Sequence, residues 1–297
     1  MIPVSFQTED GYLLKGHVFP ANGKRVGSII VAGATGVPQG FYKRYAQFAS
    51  EQGFDVLTFD YRGIGLSKPV TLNSFEMDML DWGKYDLASA VELMSEDESI
   101  PLFVVGHSYG GHAFGLLPNH TKVKGFYVYG TGAGWHGYMP LTEQIKVLTM
   151  WYLILPIIVR WKGYCAWSLL GMGEDLPKNV FLQWRHWCRF KHYFFDDPNM
   201  HHIHKLYAAV KTPVFAVNAL DDLWAMPASR DAFIKHYSST SVSCVDIDHK
   251  NIKGKIGHMG YFRKHAEPLW LDNINWFKSL IANEAKACLS QELGYKP

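Results

Sequence analysis

The chain has 297 residues, enough for one large α/β domain or for a core carrying an insertion. Hydrophobic residues at 48% against 19% charged describe a globular protein, and a net charge of +2 without a Lys/Arg stripe excludes electrostatic capture of nucleic acid. Cys165, Cys188, Cys244 and Cys288 lie far apart with no C-x-x-C pair, which argues against a zinc site or a disulfide framework.

Taken in order, the opening MIPVSFQTED lacks the basic and apolar regions of a secretory signal, so a cytoplasmic, reduced protein is expected. Val4 to Gln7 and Tyr12 to Phe19 flank Asp10-Gly11 and predict an antiparallel hairpin at a sheet edge. Short apolar runs follow at Ser28 to Ala32, Phe54 to Phe59, Leu102 to Val105, Phe126 to Tyr129 and Val214 to Val217, with a last strand at Ser241 to Ile247. Helical faces alternate with them: Phe41, Tyr45 and Phe48; then Leu80, Leu87, Val91 and Met94; and, near the C-terminus, Trp270, Ile274, Phe277 and Ile281. This rhythm predicts an α/β fold, a doubly wound, mostly parallel sheet covered on both faces.

The rhythm fails between 131 and 205, a helical, aromatic stretch holding six of the ten tryptophans. We expect a helical lid at 131–205 inserted into a core built from 1–130 and 206–297. Within it, Val147 to Val159 is apolar but shorter than the ~18 residues of a membrane span, and Pro156 interrupts it. A buried or lid helix is expected there rather than an anchor, with interfacial membrane contact the lesser alternative. His201, His202 and His204 lack a carboxylate at ligand spacing and read as a polar turn, so no metal or other cofactor is expected. Glu174-Asp175 should cap a lid helix or, alternatively, meet a cationic group.

The most informative feature is Gly106-His-Ser-Tyr-Gly-Gly111, directly after the run Pro101 to Val105. A G-x-S-x-G between a buried strand and a helix is a nucleophile elbow: the strained turn exposes the serine, here Ser108, and aims the next amide, Tyr109 N–H, at the same spot. A nucleophilic serine needs a base and an acid that orients it. Asn218-Ala-Leu-Asp-Asp-Leu-Trp-Ala-Met-Pro227 supplies two candidate acids; Asp222 is preferred, and Asp221 reads as a cap of the helix beginning near Pro227. Lys255-Ile-Gly-His-Met-Gly-Tyr-Phe262 supplies His258 between two glycines, with His249 its nearest competitor. His107 and His112 read as packing or supporting groups.

Asp60-Tyr-Arg-Gly-Ile-Gly-Leu-Ser67, Ala32 to Tyr42, Gly171 to Pro177, Trp184 to Arg189 and Ile256 to Arg263 together resemble the α/β-hydrolase superfamily, and within it a group of predicted hydrolases without a settled substrate. The resemblance implies that Asp60 and Arg62 brace a structural turn. It also implies a second oxyanion donor in the loop Ala32-Gly-Ala-Thr-Gly36; Ala34 is the first choice and Thr35 the next, the usual His-Gly pair being replaced by Ala32-Gly33.

The expected function is serine hydrolysis of an ester-like bond in an apolar small-molecule substrate, carboxylesterase- or lipase-like, with Trp184 and Trp187 as candidate substrate-lining residues. Thioesterase, acyltransferase, amidase or peptidase activity would use the same groups. A non-catalytic ligand-binding role stands as the alternative from a different class. Oligomeric state is not legible.

Overall fold

The computed structural model describes residues 1–292 apart from His249, Asn251 and Lys253. Its strands are β1 (Ile2–Gln7), β2 (Leu13–Phe19), β3 (Gly27–Ala32), β4 (Phe54–Asp60), β5 (Leu102–His107), β6 (Val123–Tyr129), β7 (Val214–Ala219) and β8 (Val242–Ile247). Among the described residues they form one eight-stranded sheet in the order β1-β2-β4-β3-β5-β6-β7-β8. The β1–β2 hairpin joins β4 antiparallel, and every pairing from β4 to β8 is parallel.

β3 and β5 are buried at every position, as continuous apolar runs require when both faces of a parallel sheet are covered. Alternation along β3 divides the core. Ile29 and Val31 face the layer of α1 (Lys43–Glu51) and the C-terminal helix, where Trp270, Ile274 and Phe277 are also buried. Ile30 faces the opposite layer, which includes α2 (Ala88–Met94) and α3 (Tyr109–Phe114). The edge strand β8 is largely exposed.

Between β6 and β7 lies a helical insertion: α4 (Leu141–Thr149), a π-helical turn Met150–Ile154, α5 (Leu155–Lys162), α6 (Lys178–Trp187) and α7 (His201–Ala209). After β7 come α8 (Pro227–Ile234) and α9 (Glu267–Glu292). Two expectations need correction. Pro156 does not interrupt the apolar segment: the helix runs continuously over Leu141–Lys162, and the π-helical turn Met150–Ile154 just before the proline accommodates its missing N–H. The three histidines at 201–204 open α7 instead of forming a turn, and no metal-competent cluster of His, Cys, Asp or Glu occurs among the described residues.

The 60–67 element is a braced turn. Asp60 accepts the Gln39 backbone N–H and side-chain amide at 2.7 Å each, and the Leu66 N–H at 3.0 Å. Arg62, almost fully buried, pairs with Asp86 at 2.7 Å and Asp10 at 2.6 Å. A buried guanidinium is tolerable only with such partners.

Candidate active site

β5 delivers the chain into the elbow. Ser108 holds φ 51° and ψ −107°, a conformation that costs about 1–3 kcal/mol for a residue with a side chain. Hydrogen bonds on both sides hold it: Ser108 N–H donates to the Tyr129 carbonyl and Gly111 N–H to the Ser108 carbonyl, both at 2.9 Å. The following helix approaches β3 so closely that a β-carbon on Gly110 would lie 2.1 Å from the Ala32 carbonyl oxygen.

Three separated segments meet above this turn. Ser108 Oγ–H points at His258 Nε2 across 2.9 Å, and His258 Nδ1–H faces both oxygens of Asp222 at 3.0 Å. Asp222 is fully buried. Burial pushes its carboxyl upward, but His258, the Tyr261 hydroxyl at 3.0 Å and the Ala225 N–H at 3.1 Å hold it below the usual carboxylate range. Tyr261 is fixed in turn by accepting the Ala219 N–H at 2.8 Å.

Asp221 does not cap α8, whose N-cap is Met226 without a side-chain bond. Its carboxylate reaches the other way and accepts the N–H groups of Ile256 and Gly257, both at 3.0 Å. Gly257 takes φ +50° there, turning the chain so that the next residue, His258, enters the site. The adjacent aspartates thus divide the work, one holding the imidazole and the other its backbone. His249 lies outside the described residues.

A buried chain of bonds links the His258 loop to the glycine loop after β3. The Ala34 N–H donates to Tyr42 Oη at 2.7 Å, and Tyr42 Oη donates to His107 Nδ1 at 3.0 Å. His107 Nε2–H then donates to the His258 carbonyl at 2.8 Å. Burial, aided by the charge of nearby His258, holds His107 down to about 3, so it is neutral, as one donating and one accepting nitrogen require. This corrects the choice of Ala34 as second oxyanion donor, since its N–H is already committed to Tyr42.

Above Ser108 and His258 lies a cavity of about 650 Å³ bordered by Thr35, Phe41, Trp167, Met172, Trp184 and Trp224. Trp184 lines it, and Trp224 stacks on His258 at 6.0 Å between ring centroids. Trp187 does not reach the cavity. It is buried within the insertion against Tyr193 and Phe194, with its indole N–H on Asp197 at 3.1 Å. Glu174 caps no helix of the insertion: its carboxylate accepts the Gly65 N–H at 3.0 Å and pairs with Lys68, while its own N–H donates to the Gly36 carbonyl at 2.9 Å. The insertion is thereby tied to the loop beside the cavity. Of the groups that sequence reasoning missed, Trp224 stood two residues beyond Asp222 and Tyr261 three beyond His258. His107, read from the sequence as a packing or supporting group beside the elbow, takes the supporting part, whereas nothing in the sequence linked Tyr42 to the site.

Residues 26–163 match the family model of serine aminopeptidases of the S33 type. No curated protein matches the chain. Among solved structures, a soluble variant of monoglyceride lipase from Saccharomyces cerevisiae superposes with a TM-score of 0.65 at 19% identity, over 94% of this chain and 96% of that one. A Pyrococcus furiosus esterase gives 0.58 at 16% identity, over 93% and 91%. The Pyrococcus horikoshii acylaminoacyl peptidase gives 0.59 at 13% identity, over 93% of this chain but 41% of that one. With its sheet order, its elbow after the fifth strand and these likenesses, the chain has the α/β-hydrolase fold.

Proposed function

We propose that the protein is a serine hydrolase that cleaves an ester-like bond in an apolar small molecule. The observation that carries this reading is the Ser108–His258–Asp222 line of hydrogen bonds at the floor of an aromatic cavity. In the mechanism, His258 takes the Ser108 proton as Oγ attacks the carbonyl carbon, and Asp222 stabilises the resulting imidazolium. The Tyr109 N–H and the Thr35 N–H hold the tetrahedral oxyanion; Thr35 replaces the committed Ala34. His258 returns the proton to the leaving group, and water, activated by the same imidazole, releases the acyl group. The insertion serves as a lid whose Trp184 shapes the acyl site.

An ester is favoured over the free N-terminus of a peptide because, among the described residues, those lining the cavity include no carboxylate to meet an α-ammonium and one formal charge, Arg263. The test is labelling by a fluorophosphonate probe, followed by turnover of p-nitrophenyl esters against the matching anilides. Ser108→Ala should lose labelling, and Ser108→Ala and His258→Ala should each lose at least about 10³-fold in ester kcat/KM while remaining folded. A folded wild type that resists the probe and hydrolyses none of the esters overturns the proposal.

A further inference from the structure

The helix Leu141–Lys162 has two apolar stripes and only one of them is covered. Val147, Trp151, Leu155 and Val159, four residues apart, are buried against the rest of the insertion. Leu141, Ile145, Leu153, Ile157 and Trp161 repeat on the same spacing, broken only by Thr149, and lie on the surface, with Leu153 59%, Ile157 64% and Trp161 72% exposed. Soluble helices place charge on the face opposite their core stripe. The helix is long and apolar enough to span a bilayer by length and composition. Its buried stripe is already packed, however, which leaves the other to lie along a surface.

Charge identifies that surface. Residues 141–191 carry seven Lys/Arg against three Asp/Glu, while the rest of the chain carries 22 against 24. Lys146 and Arg160 flank the apolar run, the Lys162 ammonium sits 4.1 Å from the Trp161 ring centroid, and Arg185 lies over Tyr152 at 5.9 Å. Tryptophan and tyrosine beside basic residues suit the boundary between acyl chains and anionic headgroups. The following loop adds exposed Leu169, Leu170 and Met172, and Met172 also lines the cavity.

We propose that the exposed stripe of Leu141–Lys162 docks the protein on an anionic phospholipid surface, bringing the cavity to a lipid phase. Docking itself is independent of the hydrolase reading; only its use for substrate entry rests on it.

The test is flotation of the full chain with vesicles of phosphatidylcholine alone and of equal parts phosphatidylcholine and phosphatidylserine. Expected are binding to the anionic vesicles, its weakening by added salt, and a loss of about tenfold or more in the double variant Leu153→Glu/Ile157→Glu. That variant should keep the wild-type melting temperature and turnover of a short soluble ester. Ser108→Ala should bind vesicles as wild type does, so failure of docking and failure of the hydrolase reading are separable. No flotation of the wild type, or equal flotation of the double variant, overturns the proposal. Equal, salt-insensitive binding to both vesicles overturns the anionic assignment. A dimer in solution that the double variant dissociates, without vesicle binding, assigns the stripe to a second copy of the chain instead.

Discussion

Asp221 and Asp222 are chemically identical neighbours that face opposite ways. Asp222 meets the imidazole of His258, and Asp221 ties down the amides of Ile256 and Gly257 just before it. Their losses should therefore differ in kind. Asp222→Asn removes the acceptor that sets the tautomer and should lower kcat by about 10³–10⁴. Asp221→Asn keeps the imidazole's partner but weakens two charge-assisted bonds, and about tenfold is expected. Steady-state kinetics on one ester would decide; equal losses would mean that both aspartates act through the same path. The strain at Ser108 and the neutral state of His107 also belong to this scale, since each depends on a few atoms that surround one residue.

At the scale of elements, the tryptophans of the insertion separate by what packs against them. Trp184 and Trp187 lie three residues apart on α6, yet one borders the cavity and the other is buried within the insertion against Tyr193 and Phe194. Trp184→Ala should enlarge the cavity and shift acyl-chain preference toward longer esters, changing the kcat/KM ratio between long and short chains by about tenfold or more. Trp187→Ala should leave that ratio unchanged and lower stability by about 3–5 kcal/mol, since it empties a packed site and removes one of the donors to the Asp197 carboxylate. A p-nitrophenyl ester series beside urea unfolding reads both effects. A changed preference in the Trp187 variant would show that the insertion couples its own core to the cavity.

For the molecule as a whole, two buried histidines set a dependence of stability on pH. Burial first, and neighbouring charge second for His107, hold His107 at about 3; burial holds His112 at about 4. Both folded-state values lie below the ordinary histidine value of 6.5, so on acidification the unfolded chain takes up these protons before the native one does. Their contribution is complete above pH 6.5 and is lost progressively as the pH falls through the folded values. At pH 5 the loss is about 2 kcal/mol for each. Urea midpoints measured from pH 8 to pH 5 should fall, and His112→Asn should make the fall shallower. A fall in His112→Asn as steep as that of the wild type would mean that His112 is not held neutral.

The architecture was legible in residue order because its signals are local. Apolar runs of strand length, helical spacing between them and the turn chemistry of G-x-S-x-G all act within a few residues, and they determined the α/β class, the edge hairpin and the elbow. The loops that carry Asp222 and His258 could be found for the same reason, each directly following a strand. Only the folded chain decided which groups meet across long separations. The Tyr42 hydroxyl reaches both Ala34 and His107, Glu174 crosses from the insertion to Gly36 and Gly65, and Trp224 comes to lie on His258. Composition could not separate the covered stripe of Leu141–Lys162 from the bare one, because both are apolar but for Thr149 and differ chiefly in what packs against them. Hydrogen bonds and burial depend on distance in space, and the sheet, by bringing its loops to one end, sets those distances.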